Sequence, residues 1–153
     1  MYISESDKVL YTLDYEVPFH VVKKNSRVIM KGRDGRPFIG KSPELKSAEA
    51  RMELAMRSRK NELAISTIRS DVSMCCIFYF DYHSFWLKSG TARKKTLPDL
   101  SNLYQLVEDC LESSGVLEND RLIQSHDGSR ILPAPRNKIY LELSMMDPPE
   151  RYV

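Results

Sequence analysis

No apolar run in the chain approaches the roughly 18 residues that a bilayer-spanning helix needs. The N-terminal stretch Met1-Tyr2-Ile3-Ser4-Glu5-Ser6-Asp7-Lys8 also lacks the basic-then-apolar order of an export signal. Both absences lead to the expectation of a cytoplasmic protein with no membrane partner. Cysteine is scarce: three residues without Cys-x-x-Cys spacing provide neither a disulfide framework nor a zinc site. Cys75 and Cys76 are neighbours in an apolar run and so belong on opposite faces of a strand, while Cys110 falls on an apolar helical stripe. Reduced core thiols are expected. His20, His83 and His126 share no metal-ligand spacing, and none is assigned a role. No internal repeat or compositional break divides the chain. Residues 1–153 therefore read as one domain, with the 42% hydrophobic and 29% charged residues of an ordinary globular protein.

Charge of one sign is locally missing in two adjoining stretches. Residues 84–98 hold Lys88, Arg93, Lys94 and Lys95 and no acid; residues 99–120 hold six acids and no Lys or Arg. A third stretch, 21–41, carries Lys23, Lys24, Arg27, Lys31, Arg33, Arg36 and Lys41 against Asp34 alone. Within it, two short apolar runs flank Arg33-Asp34-Gly35 and predict a basic hairpin. Such a hairpin is either a solvated turn or a DNA contact. The local single-sign excess favours contact, because it sets up a steering field.

Around these stretches the pattern predicts a mixed α/β (α+β) domain: a small mixed sheet packed against two principal helices. Residues 8–17 alternate as a strand. Ser42-Pro43-Glu44 opens a helix with Ser42 as cap, and Leu45, Ala48, Met52, Ala55, Met56 and Leu63 recur along it as a packing stripe. Residues 72–82 are apolar on both alternating faces and predict a central strand covered on both sides. Residues 83–97 read as a loop in which His83, Phe85 and Trp86 either stack on bases or anchor the loop. Pro133 and Pro135 punctuate a further basic stretch with Arg130, Arg136 and Lys138. Residues 139–145 alternate as a last strand, and 147–153 form a short tail.

The densest signal lies at 97–123. Pro98 bars a helix from upstream, and Asp99 or Ser101 can cap the one that follows. Leu103, Leu106, Val107, Cys110 and Leu111 make its apolar stripe; Asn102, Gln105 and Asp109 share the opposite face. Gly115 suits a left-handed C-terminal turn, and the extended Leu122-Ile123 follows. If that strand lies beside the helix start, Asp99 and Asp120 meet. Carboxylates edged by cations are what metal-assisted attack on a phosphodiester requires: the acids hold a hard divalent ion and the cations hold the polyanion.

At Pro98-Asp99-Leu100-Ser101-Asn102-Leu103, Asp109-Cys110-Leu111, Gly115 and Asn119-Asp120, the chain resembles the RusA-type Holliday junction resolvases of bacteria and their phages. The resemblance covers this motif region. It implies a homodimer that makes paired nicks in four-way DNA junctions with Mg²⁺, for which Mn²⁺ can substitute. It implies a site built from Asp99, Ser101, Asn102 and Asp120, with Asp99, Asp120 and Asp109 as metal ligands. Phosphate contacts are expected from Lys23, Lys24, Arg27, Lys31, Arg33, Arg36, Arg93, Lys94 and Lys95. The chain departs from the family pattern at three places: Ser101 and Asn119 stand where the family has Asp, and Gln105 where it has Lys. Ser101 brings no charge to a metal, so binding should weaken unless Asp109, Asn102 or water fills the gap. A protein that binds branched DNA without cleaving it is the alternative, and a nuclease for flaps a third.

Overall fold

The computed structural model describes residues 9–17, 27–31, 37–41, 43–82, 86–87, 92–93 and 100–146; of 27–31, 37–41, 87 and 92–93 it describes the backbone only. Its elements, in chain order, are β1 (Val9–Glu16), β2 (Arg27–Lys31), β3 (Pro37–Lys41), α1 (Pro43–Leu63), β4 (Val72–Asp81), β5 (Trp86–Leu87), β6 (Ala92–Arg93), α2 (Leu100–Ser113), a 3-10 turn (Asp120–Leu122), β7 (Ile123–Ser125), β8 (Arg130–Ala134) and β9 (Lys138–Met145).

Alternation explains the sheet. β4 is its centre: β9 runs antiparallel on one side and β1 pairs antiparallel beyond it, while β7 and β8 run parallel on the other side. Val72, Met74, Cys76, Phe78 and Phe80 point to one face of β4 and are all buried, together with Tyr11, Leu13, Leu141 and Leu143 from β1 and β9. The two helices supply Leu45, Met52, Met56, Leu103, Leu106, Val107 and Leu111 against them. The mixed α+β domain with two principal helices is thus as expected. One expectation is corrected. The other face of β4, with Ser73, Cys75, Ile77, Tyr79 and Asp81, is only half-buried among the described residues. Both helices pack on the same side of the sheet, so the second alternating set lacks the cover that its apolar residues suggested.

β7 and β8 share β4 end to end: β7 pairs with Val72 and Ser73, and β8 with Ile77 to Asp81. Ser129 fills the gap, its hydroxyl accepting from Cys76 N–H at 2.8 Å and donating to Met74 C=O at 3.3 Å. The stretch punctuated by Pro133 and Pro135 is therefore a strand over 130–134. Pro133 is tolerated there because β8 has one described neighbour, leaving it an edge strand where a missing N–H costs little.

The basic hairpin is present as β2 and β3, with Met30 opposite Phe38 and Lys31 opposite Pro37. Part of the expected loop 83–97 is a second small hairpin, β5 with β6. Trp86 anchors it by donating Nε1–H to Phe80 C=O at 3.0 Å and packing against the core; His83 and Phe85 lie outside the described residues.

Asn137 ties one end of the sheet together. Its carbonyl accepts from Val17 N–H at 3.0 Å, and its side-chain oxygen accepts from Asp81 N–H at 2.9 Å. The chain therefore leaves β1 for the basic segment 21–41, and leaves β4 for the basic segment 88–95, from the same end of the sheet. α2 runs antiparallel to β4: near its start Tyr104 lies 6.2 Å from the Phe78 ring, whereas Leu117, past its end, bridges to Ile68 ahead of β4. The start of α2 is thus directed toward that same end. No described helix is long and apolar enough to cross a membrane.

Candidate functional site

α2 is amphipathic because its apolar residues recur at helical spacing: Leu103, Leu106, Val107, Cys110 and Leu111 are buried. Its other side presents Ser101 and Gln105, both exposed, and Asn102, Glu108 and Asp109, all half-buried. Ser101 is the second residue of the helix, inside the first turn, and so is not its cap. Asp99 precedes the helix and lies outside the described residues. The helix ends as expected in a left-handed Gly115, φ 80°. Gly115 N–H donates to Glu112 C=O and Val116 N–H to Leu111 C=O, the paired bonds of a Schellman turn.

The turn delivers Asn119 and Asp120. Asn119 caps the 3-10 turn, its side chain accepting from Arg121 N–H at 2.8 Å. Asn is among the best capping residues, so Asn119 holds this turn by itself. The expected strand starts one residue later, at Ile123, because Asp120–Leu122 is spent in the 3-10 turn. Asp120 and Asp109 both press on Glu108: burial first, then Asp120, then Asp109 push its carboxyl pKa above the usual range. These acids come from two elements and share one field.

Spacing along α2 limits which of them can act together. Ser101 and Asp109 are eight residues apart, about 12 Å along the axis at 1.5 Å per residue. One ion with ligand distances of about 2.0–2.1 Å cannot touch both. Asp120 bears on Glu108, next to Asp109, so these three acids are the ones placed in one neighbourhood, whereas Asp99 lies outside the described residues. Among the described residues, no three His, Cys, Asp or Glu side chains form a group that could hold an ion. The donor chemistry fits a hard divalent cation nonetheless, since it is all carboxylate and its charges crowd one another at Glu108.

A neighbouring cluster was not expected from the sequence. His126 Nε2 lies 3.0 Å from Glu108 Oε1, and the Tyr104 ring stacks on the imidazole at 4.2 Å between centroids. Burial lowers the His126 pKa, so the ring is neutral and donates Nε2–H to the carboxylate. That leaves Nδ1 as an acceptor, buried and without a hydrogen-bond partner. The four-residue spacing of Tyr104 and Glu108 on one helix face was a readable signal. His126 offered none, because it arrives through the β4–β7 pairing.

Of the expected phosphate contacts, Lys23, Lys24, Arg33, Arg36, Lys94 and Lys95 lie outside the described residues; Arg27, Lys31 and Arg93 are placed by backbone in β2 and β6. Cys75, Cys76 and Cys110 are free thiols, as expected, and burial pushes that of Cys76 well up. Compared with known proteins, the chain matches no family model and no curated protein.

Proposed function

We propose that this chain is a metal-dependent endodeoxyribonuclease of the RusA type, acting in the cytoplasm as a homodimer that nicks four-way DNA junctions. One observation carries the reading: Asp109 and Asp120, eleven positions apart and on different elements, bear on the same half-buried carboxyl at Glu108. Glu108, Asp109 and Asp120 thus share one negative field, which supports the reading. Asp120 would hold the ion together with Asp99, or together with Asp109. When bound, Mg²⁺ or Mn²⁺ supplies an activated water and stabilises the leaving 3′ oxygen. The protein's own part is to hold and orient the phosphodiester. Cations of segments 21–41 and 88–95 hold the flanking phosphates. The Ser101 hydroxyl and the Asn102 amide, in the first turn of α2, can donate to a phosphate oxygen.

Ser101 also favours a second reading, in which an uncharged side chain at the helix start leaves a protein that binds branched DNA without cutting it. An arm-labelled synthetic four-way junction, incubated with and without Mg²⁺ or Mn²⁺, separates the two. Symmetric, metal-dependent nicks that vanish in Asp120→Asn while binding persists are the expected result. A gel shift without nicks establishes the second reading, and nicks confined to flaps assign a different substrate. Calorimetric Mn²⁺ titration of Asp99→Asn and Asp109→Asn then shows which set completes the site.

A further inference from the structure

The stretch around Pro133 and Pro135 borders a cleft of about 480 Å³, lined by Tyr79, Ala134, Pro135, Arg136 and Lys138. This is within the roughly 300–1,000 Å³ range of small-molecule sites. Tyr79 lies on the half-buried face of β4, directly opposite Lys138 in the register with β9. The walls are an aromatic ring and a proline, and the rim carries two cations. That combination suits a flat π-system bearing a phosphate.

The place of the cleft sharpens the choice. It lies beside Asn137, at the end of the sheet where the chain departs into both basic segments and toward which the start of α2 points. Tyr79 is the one aromatic ring in its lining, which offers a stacking face to a single base.

We propose that this cleft binds an unpaired nucleotide of DNA, with its base against Tyr79 and its phosphate between Arg136 and Lys138. The proposal rests on the DNA-binding reading above and adds to it a preference for unpaired strand beside a duplex. In the free protein the two cations are engaged: Arg136 pairs with Glu16 at 3.0 Å and Lys138 with Asp14 at 2.9 Å. All four side chains are substantially exposed, and surface pairs of this kind exchange partners readily. Asp14 and Glu16 thus hold the cations at the rim until a phosphate replaces them.

The test is fluorescence anisotropy of the full-length protein with a short oligothymidylate, and with a duplex carrying a single-stranded gap that contains 2-aminopurine. Tyr79→Ala should weaken oligothymidylate binding roughly 5- to 150-fold, the range expected when one base loses its aromatic stacking partner. Tyr79→Phe should retain binding, and 2-aminopurine should be quenched by wild type and Tyr79→Phe alone. Arg136→Ala, at a surface position that leaves the fold unchanged, should flatten the log–log salt dependence by about 0.7. Asp14→Asn with Glu16→Gln should tighten binding about two- to fivefold, whereas a purely structural role for the pairs would leave affinity unchanged. Wild-type affinity in both Tyr79→Ala and Arg136→Ala, with no quenching, overturns the proposal even if junctions are still nicked. Tyr79-dependent binding by a protein that cuts no junction upholds it and removes the nuclease reading alone.

Discussion

Glu108 carries a carboxyl held above its usual range by burial, then by Asp120, then by Asp109. A raised folded-state pKa means that ionisation of this group weakens the fold. The stability it contributes is complete below the ordinary value of 4.5 and is lost as pH rises through the folded-state value. Glu108→Gln removes the charge and keeps an acceptor for His126. In the metal-free protein it should therefore be more stable than wild type at pH 7, by about 0.2–0.5 kcal/mol, the size of a like-charge pair on a helix. The advantage should close as pH falls toward 4. Urea denaturation at the two pH values checks this; an equal difference at both would show that the neighbouring acids do not press on Glu108. Only part of this site was legible from residues. Asp109 and Asp120 stood out by motif spacing, and Glu108 appeared only as one more acid. His126 could not be read at all, since its contact with Glu108 joins positions 18 residues apart through a strand pairing.

The helices were the most legible elements, and they end in the same way. α2 closes on Gly115 at φ 80°, α1 on Ala64 at φ 53°. In α1 Ala64 N–H donates to Asn61 C=O and Ile65 N–H to Lys60 C=O, repeating the pattern after α2. The left-handed conformation costs an L-residue with a Cβ roughly 1–2 kcal/mol, so the two positions predict opposite substitutions. Gly115→Ala should lower stability by about that amount. Ala64→Gly should raise it by about 0.5–1 kcal/mol, the remainder being offset by the freer unfolded chain. Chemical denaturation of both variants reads the two signs directly. β8 shows the opposite case. Pro133 signalled a break, yet the segment pairs with β4 at the edge, where a proline is not asked to donate.

For the whole molecule, the observation that matters is that Asn137 gathers the ends of β1 and β4, the two strands that precede the basic segments in sequence. Under the proposed function, binding to junction DNA should fall steeply with salt. Arg93→Ala, Lys94→Ala and Lys95→Ala together should flatten the log–log slope by up to about 0.9 for each phosphate that is no longer neutralised. Anisotropy titrations between low and moderate salt measure it, and an unchanged slope would assign the three cations to solvent.

The sequence by itself determined what local chemistry controls: the two helices from their 3.6-residue stripes, β4 as a central strand from its apolar run, the left-handed stop at Gly115, and the separation of acidic from basic segments. Each depends on residues within a few positions of one another. Tertiary structure alone decided that both helices cover the same side of the sheet and leave Tyr79 half-exposed. It also decided that β8 is a parallel edge strand, that His126 meets Glu108, and that Arg136 and Lys138 face Glu16 and Asp14. Those outcomes are set by which distant segments pair and in what register, and a period of 2 or 3.6 along one segment carries no record of its partner.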